Sequence, residues 1–166
     1  MRLRELEEKD AELMLEWMHD DDVVEKLGTN FKEKTLEDCK AFINASKDCS
    51  MNMHKAIVDE SDVYMGTVSL KHIDKSKKMA EFAITIRREA MGKGYSKYGM
   101  AMIIEIAFAD VGLEKVYWCV SEDNLRAIRF YEKNGYQRVS KVPRSLLDNY
   151  KQEQLMNFIW FLAENK

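Results

Sequence analysis

The sequence has 166 residues, of which 46% are hydrophobic and 33% charged, as is typical of one globular domain with its own core. The formal net charge of −3 lacks the basic excess of nucleic-acid-binding proteins, so we expect no nucleic-acid partner. The few cysteines and histidines are scattered and form no CxxC pair, so neither a disulfide framework nor a metal site is predicted.

The N-terminal residues carry charge from the second position onward. Arg2 and Arg4 flank Leu3, and the apolar core of a secretory signal does not follow them. The longest apolar run, 100–109, is interrupted by Glu105 and is shorter than the roughly 18 residues of a membrane-spanning helix. We therefore expect a cytoplasmic protein without a membrane partner.

The first half of the chain alternates between strand-like and helix-like segments. Residues 2–6 alternate polar and apolar side chains, as a half-buried strand does, and Asp10 resembles the N-cap of a following helix. Thr35 and Asp38 have the spacing of a capping box, which predicts the start of a second helix. Three strands are predicted next, at 55–58, 66–73 and 79–87.

The second half begins with a turn at 92–94 and an apolar helix over about 96–111. The remaining predicted elements are a strand at 115–120, a helix from Asn124 to about Gly135, and a closing hairpin of strands at 139–142 and 156–162. Because the chain has neither an internal repeat nor a linker, we predict one domain over 1–166. Its class is α+β (mixed α/β), with helices packed on a single sheet.

The glycine turn lies between a predicted strand and a predicted helix and reads Met91-Gly92-Lys93-Gly94-Tyr95-Ser96. Glycines allow backbone N–H groups to approach a ligand, and the first turn of a helix attracts anions, so a phosphate would fit here. A plain tight turn explains two glycines about equally well. Lys97 replaces the third glycine of a dinucleotide-binding turn, and no GxxxxGK[ST] string occurs, which excludes both of those phosphate motifs.

A second segment, 124–136, reads N-L-R-A-I-R-F-Y-E-K-N-G-Y. In a helix, Asn124, Ala127 and Tyr131 would share one face. That face would present an amide at the helix start, a small residue and a phenol. Taken alone, this segment is explained more simply by a tyrosine that packs in the core.

Together the two segments resemble the GCN5-related N-acetyltransferase (GNAT) family. Residues 91–96 resemble its acetyl-CoA pyrophosphate loop, Q/R-x-x-G-x-G/A, and residues 124–136 resemble its N-x-x-A-x-x-x-Y-x-K-x-G-F/Y motif, in the same order and separation. The likeness covers about 55–142. Ala80-Glu81-Phe82 and the glycine turn look most like the branch with spermidine and ribosomal-protein N-terminal acetyltransferases, and bacterial amino-sugar acetyltransferases look similar too.

The resemblance implies a GNAT-like fold, with a central, mostly antiparallel twisted sheet flanked by helices and acetyl-CoA at the strand–loop–helix turn. It implies a direct transfer of the acetyl group, without a metal or an acyl-enzyme, to a primary amine. The amine would belong to a polyamine, a protein or peptide N-terminus, or an amino sugar. The alternative is a non-catalytic acyl-CoA-binding or regulatory module on the same fold. Because the family often forms dimers, the resemblance is compatible with a homodimer.

The resemblance also implies roles for particular residues. Tyr131 matches the family's general acid, and Glu81 is the candidate base, although a surface carboxylate in a salt bridge explains Glu81 as well. The predicted acetyl-CoA-binding residues are Ile84, Thr85, Ile86, Met91, Gly92, Lys93, Gly94, Tyr95, Ser96, Asn124, Ala127, Phe130 and Lys133.

The chain departs from the family pattern at three positions. Met91 stands where the family has Gln or Arg, Ser96 replaces the last Gly or Ala of the loop motif, and Cys119 stands where some protein-acetylating relatives have a glutamate base. A strand cysteine is expected to be a small buried hydrophobe rather than a nucleophile. Asp20-Asp21-Asp22 would either attract a cationic acceptor or form a solvated acidic turn, and the second interpretation is the simpler one.

Overall fold

A computed structural model describes residues 1–27 and 29–166. Its seven strands form one sheet in the order β1-β2-β3-β4-β5-β7-β6, and all neighbours are antiparallel except β4 and β5. The strands are β1 (Arg2–Glu5), β2 (Met53–Val58), β3 (Tyr64–Asp74), β4 (Met79–Ile86), β5 (Lys115–Ser121), β6 (Gln137–Val139) and β7 (Phe158–Glu164). The predicted mixed, mostly antiparallel sheet is confirmed.

Seven α-helices connect or cover these strands. They are α1 (Ala11–Met18), α2 (Asp21–Val24), α3 (Leu36–Ala45), α4 (Tyr95–Glu105), α5 (Leu125–Lys133), α6 (Arg144–Leu147) and α7 (Gln152–Leu155). In the part of the chain that the structure describes, no helix is long and apolar enough to cross a membrane.

Two predicted helix starts have different outcomes. Thr35 caps α3 as predicted, because its Oγ1 accepts from the Asp38 N–H at 3.2 Å and the Asp38 carboxylate accepts from the Thr35 N–H at 2.9 Å. Asp10 is the N-cap residue of α1, as predicted, but its side chain makes no capping hydrogen bond. Its buried carboxylate instead accepts from Arg4 Nη1 and from the Glu7 N–H, both at 2.8 Å.

The apolar helix after the glycine turn is shorter than predicted. α4 ends at Glu105, and Ile106–Asp110 continues as one π-helical turn that ends before Gly112, whose φ is +81°. The closing hairpin is confirmed as a pairing, with Gln137 opposite Leu162, but its first strand lies earlier than 139–142. The polar connection between its strands contains α6 and α7, which the polar composition did not predict.

The two faces of the sheet are covered differently. α4 and α5 pack on one face against β3, β4, β5 and β7 and form the largest core, which includes Val68, Phe82, Met100, Ile103, Val116, Trp118, Ile128 and Phe161. On the other face, α1, α2 and α3 cover β2 and the start of β3, and α6 covers β5 and β7 through Leu146. Between these covers, Ala83 and Thr85 on the central strand β4 stay half-exposed.

Candidate active site

The site lies where β4 and β5 separate. These parallel strands pair only from Met79 opposite Lys115 to Glu81 opposite Tyr117. Beyond Glu81, β4 continues to Ile86 with β3 alone as its partner, while β5 continues along β7. One edge of residues 82–86, including the predicted Ile84, Thr85 and Ile86, therefore has no neighbouring strand in the described part of the chain. Free backbone groups there suit an extended ligand.

The glycine turn opens onto the start of α4. Gly92 and Gly94 have φ of +76° and +89°, which favour glycine, and no atom lies within 4 Å of the point where either would carry a Cβ. Gly94 is the N-cap of α4 and supplies no side chain to the first-turn N–H groups. Exposed, uncapped N–H groups behind positive-φ glycines form an anion-binding surface that fits a pyrophosphate.

The second motif lies beside this turn. Arg126 of α5 donates from Nη1 to Met91 Sδ at 3.1 Å, which joins the two motifs in space. Asn124 is the N-cap of α5, and its Oδ1 accepts from the Ala127 N–H at 3.3 Å. The other predicted cofactor residues of the two motifs are half-buried at Tyr95, Ser96 and Phe130 and exposed at Lys93 and Lys133.

Tyr131 projects from α5 into the core face of the sheet. It is 8% exposed, and its ring lies 5.4 Å from that of Trp118 and 5.1 Å from that of Phe161. Burial raises the pKa of the Tyr131 phenol above its usual range, so the group keeps its proton at physiological pH. Tyr131 therefore packs as a core tyrosine, and its hydroxyl remains protonated and able to donate a hydrogen bond.

Glu81 lies on the opposite face and is the last β4 residue that pairs with β5. Glu81 is only 2% exposed, so it is not at the surface, where the alternative interpretation expected it. Its Oε2 accepts a hydrogen bond from the Tyr150 hydroxyl, and its Oε1 has no hydrogen-bond partner among the described residues. A buried carboxylate oxygen without a donor is costly, which is a reason to expect a ligand group there.

Lys71 lies directly opposite Glu81 in the β3–β4 register, and a bulge in β3 brings a second basic side chain, His72, to the same carboxylate. The register between β3 and β4 shifts between Lys71 and Asp74, and His72 has a φ of +53°. Lys71 Nζ lies 4.0 Å from Glu81 Oε2, and His72 Nε2 lies 4.0 Å from Glu81 Oε1. Adjacent strand residues normally point to opposite faces, so this bulge is what brings both to one carboxylate.

Tyr150 is the site residue that the sequence did not predict. It follows α6 in a polar connection without a motif, and its partner Glu81 lies 69 positions away. The Cys119 thiol also adjoins its hydroxyl. Burial and the nearby Glu81 carboxylate raise the pKa of Cys119 to about 12, so this thiol is no nucleophile at neutral pH.

Two buried side-chain atoms lack a hydrogen-bond partner within 1–27 and 29–166, namely Glu81 Oε1 and Trp118 Nε1. Glu81 is the last β4 residue that pairs with β5, and Trp118 is the first β5 residue beyond that pairing. Trp118 packs with Tyr131, whereas Glu81 contacts Tyr150 on the other face. One buried polar atom without a hydrogen-bond partner therefore lies on each face of the sheet, at the point where β4 and β5 separate.

The acidic turn at 20–22 is neutralised within the protein. Arg88 donates from Nε to Asp20 Oδ2 at 2.8 Å and approaches Asp22 Oδ2 at 2.8 Å, while Lys32 pairs with Asp21. These pairs favour the surface-turn interpretation over attraction of a cationic acceptor. Where the structure describes the chain, it holds no group of three or more His, Cys, Asp or Glu side chains that could bind a metal ion.

Comparison with known proteins agrees with this geometry. The family model for the acetyltransferase (GNAT) domain matches residues 1–137. Spermidine N(1)-acetyltransferase of Escherichia coli K12 is 26% identical over 100% of this chain and 90% of its own length. The uncharacterized N-acetyltransferase p20 of Bacillus licheniformis is 24% identical over 83% of this chain and 79% of its own.

Solved structures show the same fold. Spermidine N-acetyltransferase from Vibrio cholerae in complex with CoA and spermine has a TM-score of 0.81 at 18% identity, with 98% of this chain and 94% of that chain covered. A probable acetyltransferase has a TM-score of 0.79 at 19% identity, with 98% and 92% covered. The chain belongs to the GNAT acetyltransferase family and is an acetyl-CoA-dependent N-acetyltransferase.

Proposed function

We propose that the acceptor is a small polyamine of the spermidine type, with Glu81 as the base and Tyr131 as the acid. The observation that carries the proposal is the buried Glu81 carboxylate, whose Oε1 lacks a donor at the point where β4 and β5 separate. An alkyl ammonium is a donor of matching charge. The relatives named spermidine N(1)-acetyltransferases support the same acceptor class.

On the donor side, the glycine turn and the start of α4 would hold the pyrophosphate of acetyl-CoA. Lys93 lies in this turn and Arg126 adjoins it, and these two exposed cations would attract the negative charge of the pyrophosphate. The free edge of residues 82–86 would lie along the acyl arm, with a backbone N–H near 84–86 turned to the developing oxyanion. Acetyl-CoA supplies the thioester, and the chain supplies position and proton transfer.

The chemistry moves protons at both the acceptor nitrogen and the leaving sulfur. The acceptor ammonium must lose a proton before its nitrogen can attack, since an alkyl amine is mostly protonated near neutral pH, and Glu81 accepts that proton. The nitrogen then bonds to the acetyl carbon and loses its second proton to water as the amide forms. The carbon–sulfur bond breaks, the Tyr131 hydroxyl gives a proton to the departing sulfur, and water returns a proton to the Tyr131 phenolate. Tyr131 and Glu81 lie on opposite faces of the sheet, as a donor and an acceptor that enter from opposite sides would require.

An amino sugar is the second candidate acceptor, because of Lys71. This half-buried ammonium has no hydrogen-bond partner in the described part of the chain and lies 4.0 Å from Glu81 Oε2. The further charges of a polyamine would be repelled by it, whereas sugar hydroxyls would accept from it. His54 and Ser69, whose Nδ1 and Oγ are 2.6 Å apart, extend the polar surface on the same face.

A thiol-release assay tests the proposal. Wild-type protein is given acetyl-CoA with spermidine, glucosamine or a short peptide with a free N-terminus, and product is identified by mass spectrometry. We expect the highest kcat/KM with spermidine. A preference for glucosamine would favour the second candidate. Binding of acetyl-CoA without thiol release for any amine would contradict the proposal and favour the non-catalytic module.

A further inference from the structure

Tyr150 occupies a fixed position above the strand separation. Its ring packs edge-on against Phe158 at 5.2 Å and Trp160 at 6.0 Å, both on β7. Its backbone N–H donates to the Leu147 carbonyl at 3.1 Å, at the end of α6, and the neighbouring Leu146 is 1% exposed. The hydroxyl is therefore delivered to Glu81 by an anchored segment rather than by a free loop.

The Tyr150 hydroxyl is a donor under all ordinary conditions. Burial raises the pKa of this phenol above its usual range, and the neighbouring Cys119 and Glu81 raise it further. The hydroxyl thus keeps the proton that it donates to Glu81 Oε2, and this hydrogen bond occupies one of the two carboxylate oxygens. The other oxygen, Oε1, is the one left without a donor.

We infer that Tyr150 is a positioning residue, which fixes the Glu81 carboxylate so that Oε1 is presented to the acceptor amine. Without the hydroxyl, the carboxylate is free to rotate toward Lys71, whose Nζ already lies 4.0 Å from Oε2. A closer Lys71–Glu81 pair would withdraw the carboxylate from the acceptor. The inference rests on the proposed role of Glu81 as the base.

The test is a double-mutant cycle with Tyr150→Phe and Glu81→Gln. Tyr150→Phe keeps the ring between Phe158 and Trp160 and removes only the donor. We expect kcat/KM for the acceptor to fall about 10- to 100-fold, with little change in KM for acetyl-CoA or in Tm. Because Tyr150 acts through Glu81, the double variant should be no slower than Glu81→Gln alone.

The matched control is Tyr117→Phe. Tyr117 is buried in the same cluster as Tyr150, on the strand that adjoins Glu81, and its hydroxyl makes no hydrogen bond within the described residues. We expect its kinetic constants to match those of the wild type. Penalties of Tyr150→Phe and Glu81→Gln that simply multiply, or a Tyr150→Phe enzyme with wild-type kcat/KM, would overturn the inference.

A binding measurement separates failure of this inference from failure of the proposed function. Spermidine is titrated calorimetrically into the CoA-bound wild type and the Tyr150→Phe variant. Weaker binding of spermidine to the variant supports the inference, even if no amine of the panel is acetylated. The absence of acetylation would overturn only the proposed function. Equal binding of spermidine to both proteins contradicts the positioning role. If spermidine binds to neither, the same titration with glucosamine decides, and equal binding or no binding of glucosamine to both proteins contradicts the role.

Discussion

The proposed donor half and the proposed acceptor half of the site are built in different ways. The donor half comprises the glycine turn at 91–96, the free edge of 82–86 and the start of α5, and backbone groups dominate it. The acceptor half comprises Glu81, Lys71, His72 and Tyr150, and side chains from three separate parts of the chain form it. A backbone site leaves a motif in the sequence because it needs particular residues at fixed spacings, whereas a site made of side chains from distant parts of the chain leaves none.

The largest expected effect on cofactor binding comes from the proposed donor half. Gly94→Glu would force a side chain into a φ of +89° and place a carboxylate at the proposed anion site, so acetyl-CoA affinity should fall by about 100-fold or more. Calorimetry measures this directly. Gly112→Glu is the control, because Gly112 has a similar φ of +81° and open space, away from the site. Equal affinity in the Gly94 variant and the wild type would contradict the assigned donor half.

A substitution in the proposed acceptor half should lower turnover rather than the affinity for acetyl-CoA. Glu81→Gln keeps the size of the side chain and its contact with Tyr150 but cannot accept a proton, so kcat should fall on the order of 100- to 10,000-fold. Acetyl-CoA affinity should remain as in the wild type. Glu114→Gln, which loses only an exposed pair with Lys78, is the control. A fully active Glu81→Gln enzyme would show that the proton goes elsewhere.

Tyr131 would link the two proposed halves, because it belongs to the second sequence motif and is the proposed general acid. Tyr131→Phe should lower kcat on the order of 100-fold while leaving acetyl-CoA affinity nearly unchanged, since only the proton donor is lost. Tyr136→Phe is the control, because Tyr136 packs on the same Trp118 ring at 5.2 Å. Steady-state kinetics with the best amine decide the matter, and an unchanged kcat would exclude the acid role.

The smallest effect concerns the choice of acceptor. Lys71→Met removes a cation 4.0 Å from Glu81 while keeping an unbranched side chain, so KM for spermidine should fall by a few-fold. KM for glucosamine should rise, because a hydroxyl partner is lost. The ratio of the two kcat/KM values measures the change. Lys55→Met is a control on the neighbouring strand β2, and a ratio that shifts equally in both variants would argue against a role for Lys71.

Most of the fold and the donor half were predictable from sequence. The spacing of Thr35 and Asp38 predicted the cap of α3, and the alternation in 79–87 predicted β4, since both follow from local hydrogen bonding and side-chain period. Asp10 was predicted as a cap for the same local reason, but Arg4 on β1 provides a stronger partner. α6 and α7 could not be predicted, because four-residue helices have almost no periodicity.

By itself, then, the sequence determined the order of elements, the glycine turn before α4 and the motif of α5, because each depends on residues close together in the chain. The tertiary structure alone decided that β4 and β5 separate after Glu81, and that the register and bulge of β3 and the segment after α6 bring Lys71, His72 and Tyr150 to that carboxylate. Such contacts depend on strand register and on packing across the sheet, which no local pattern encodes.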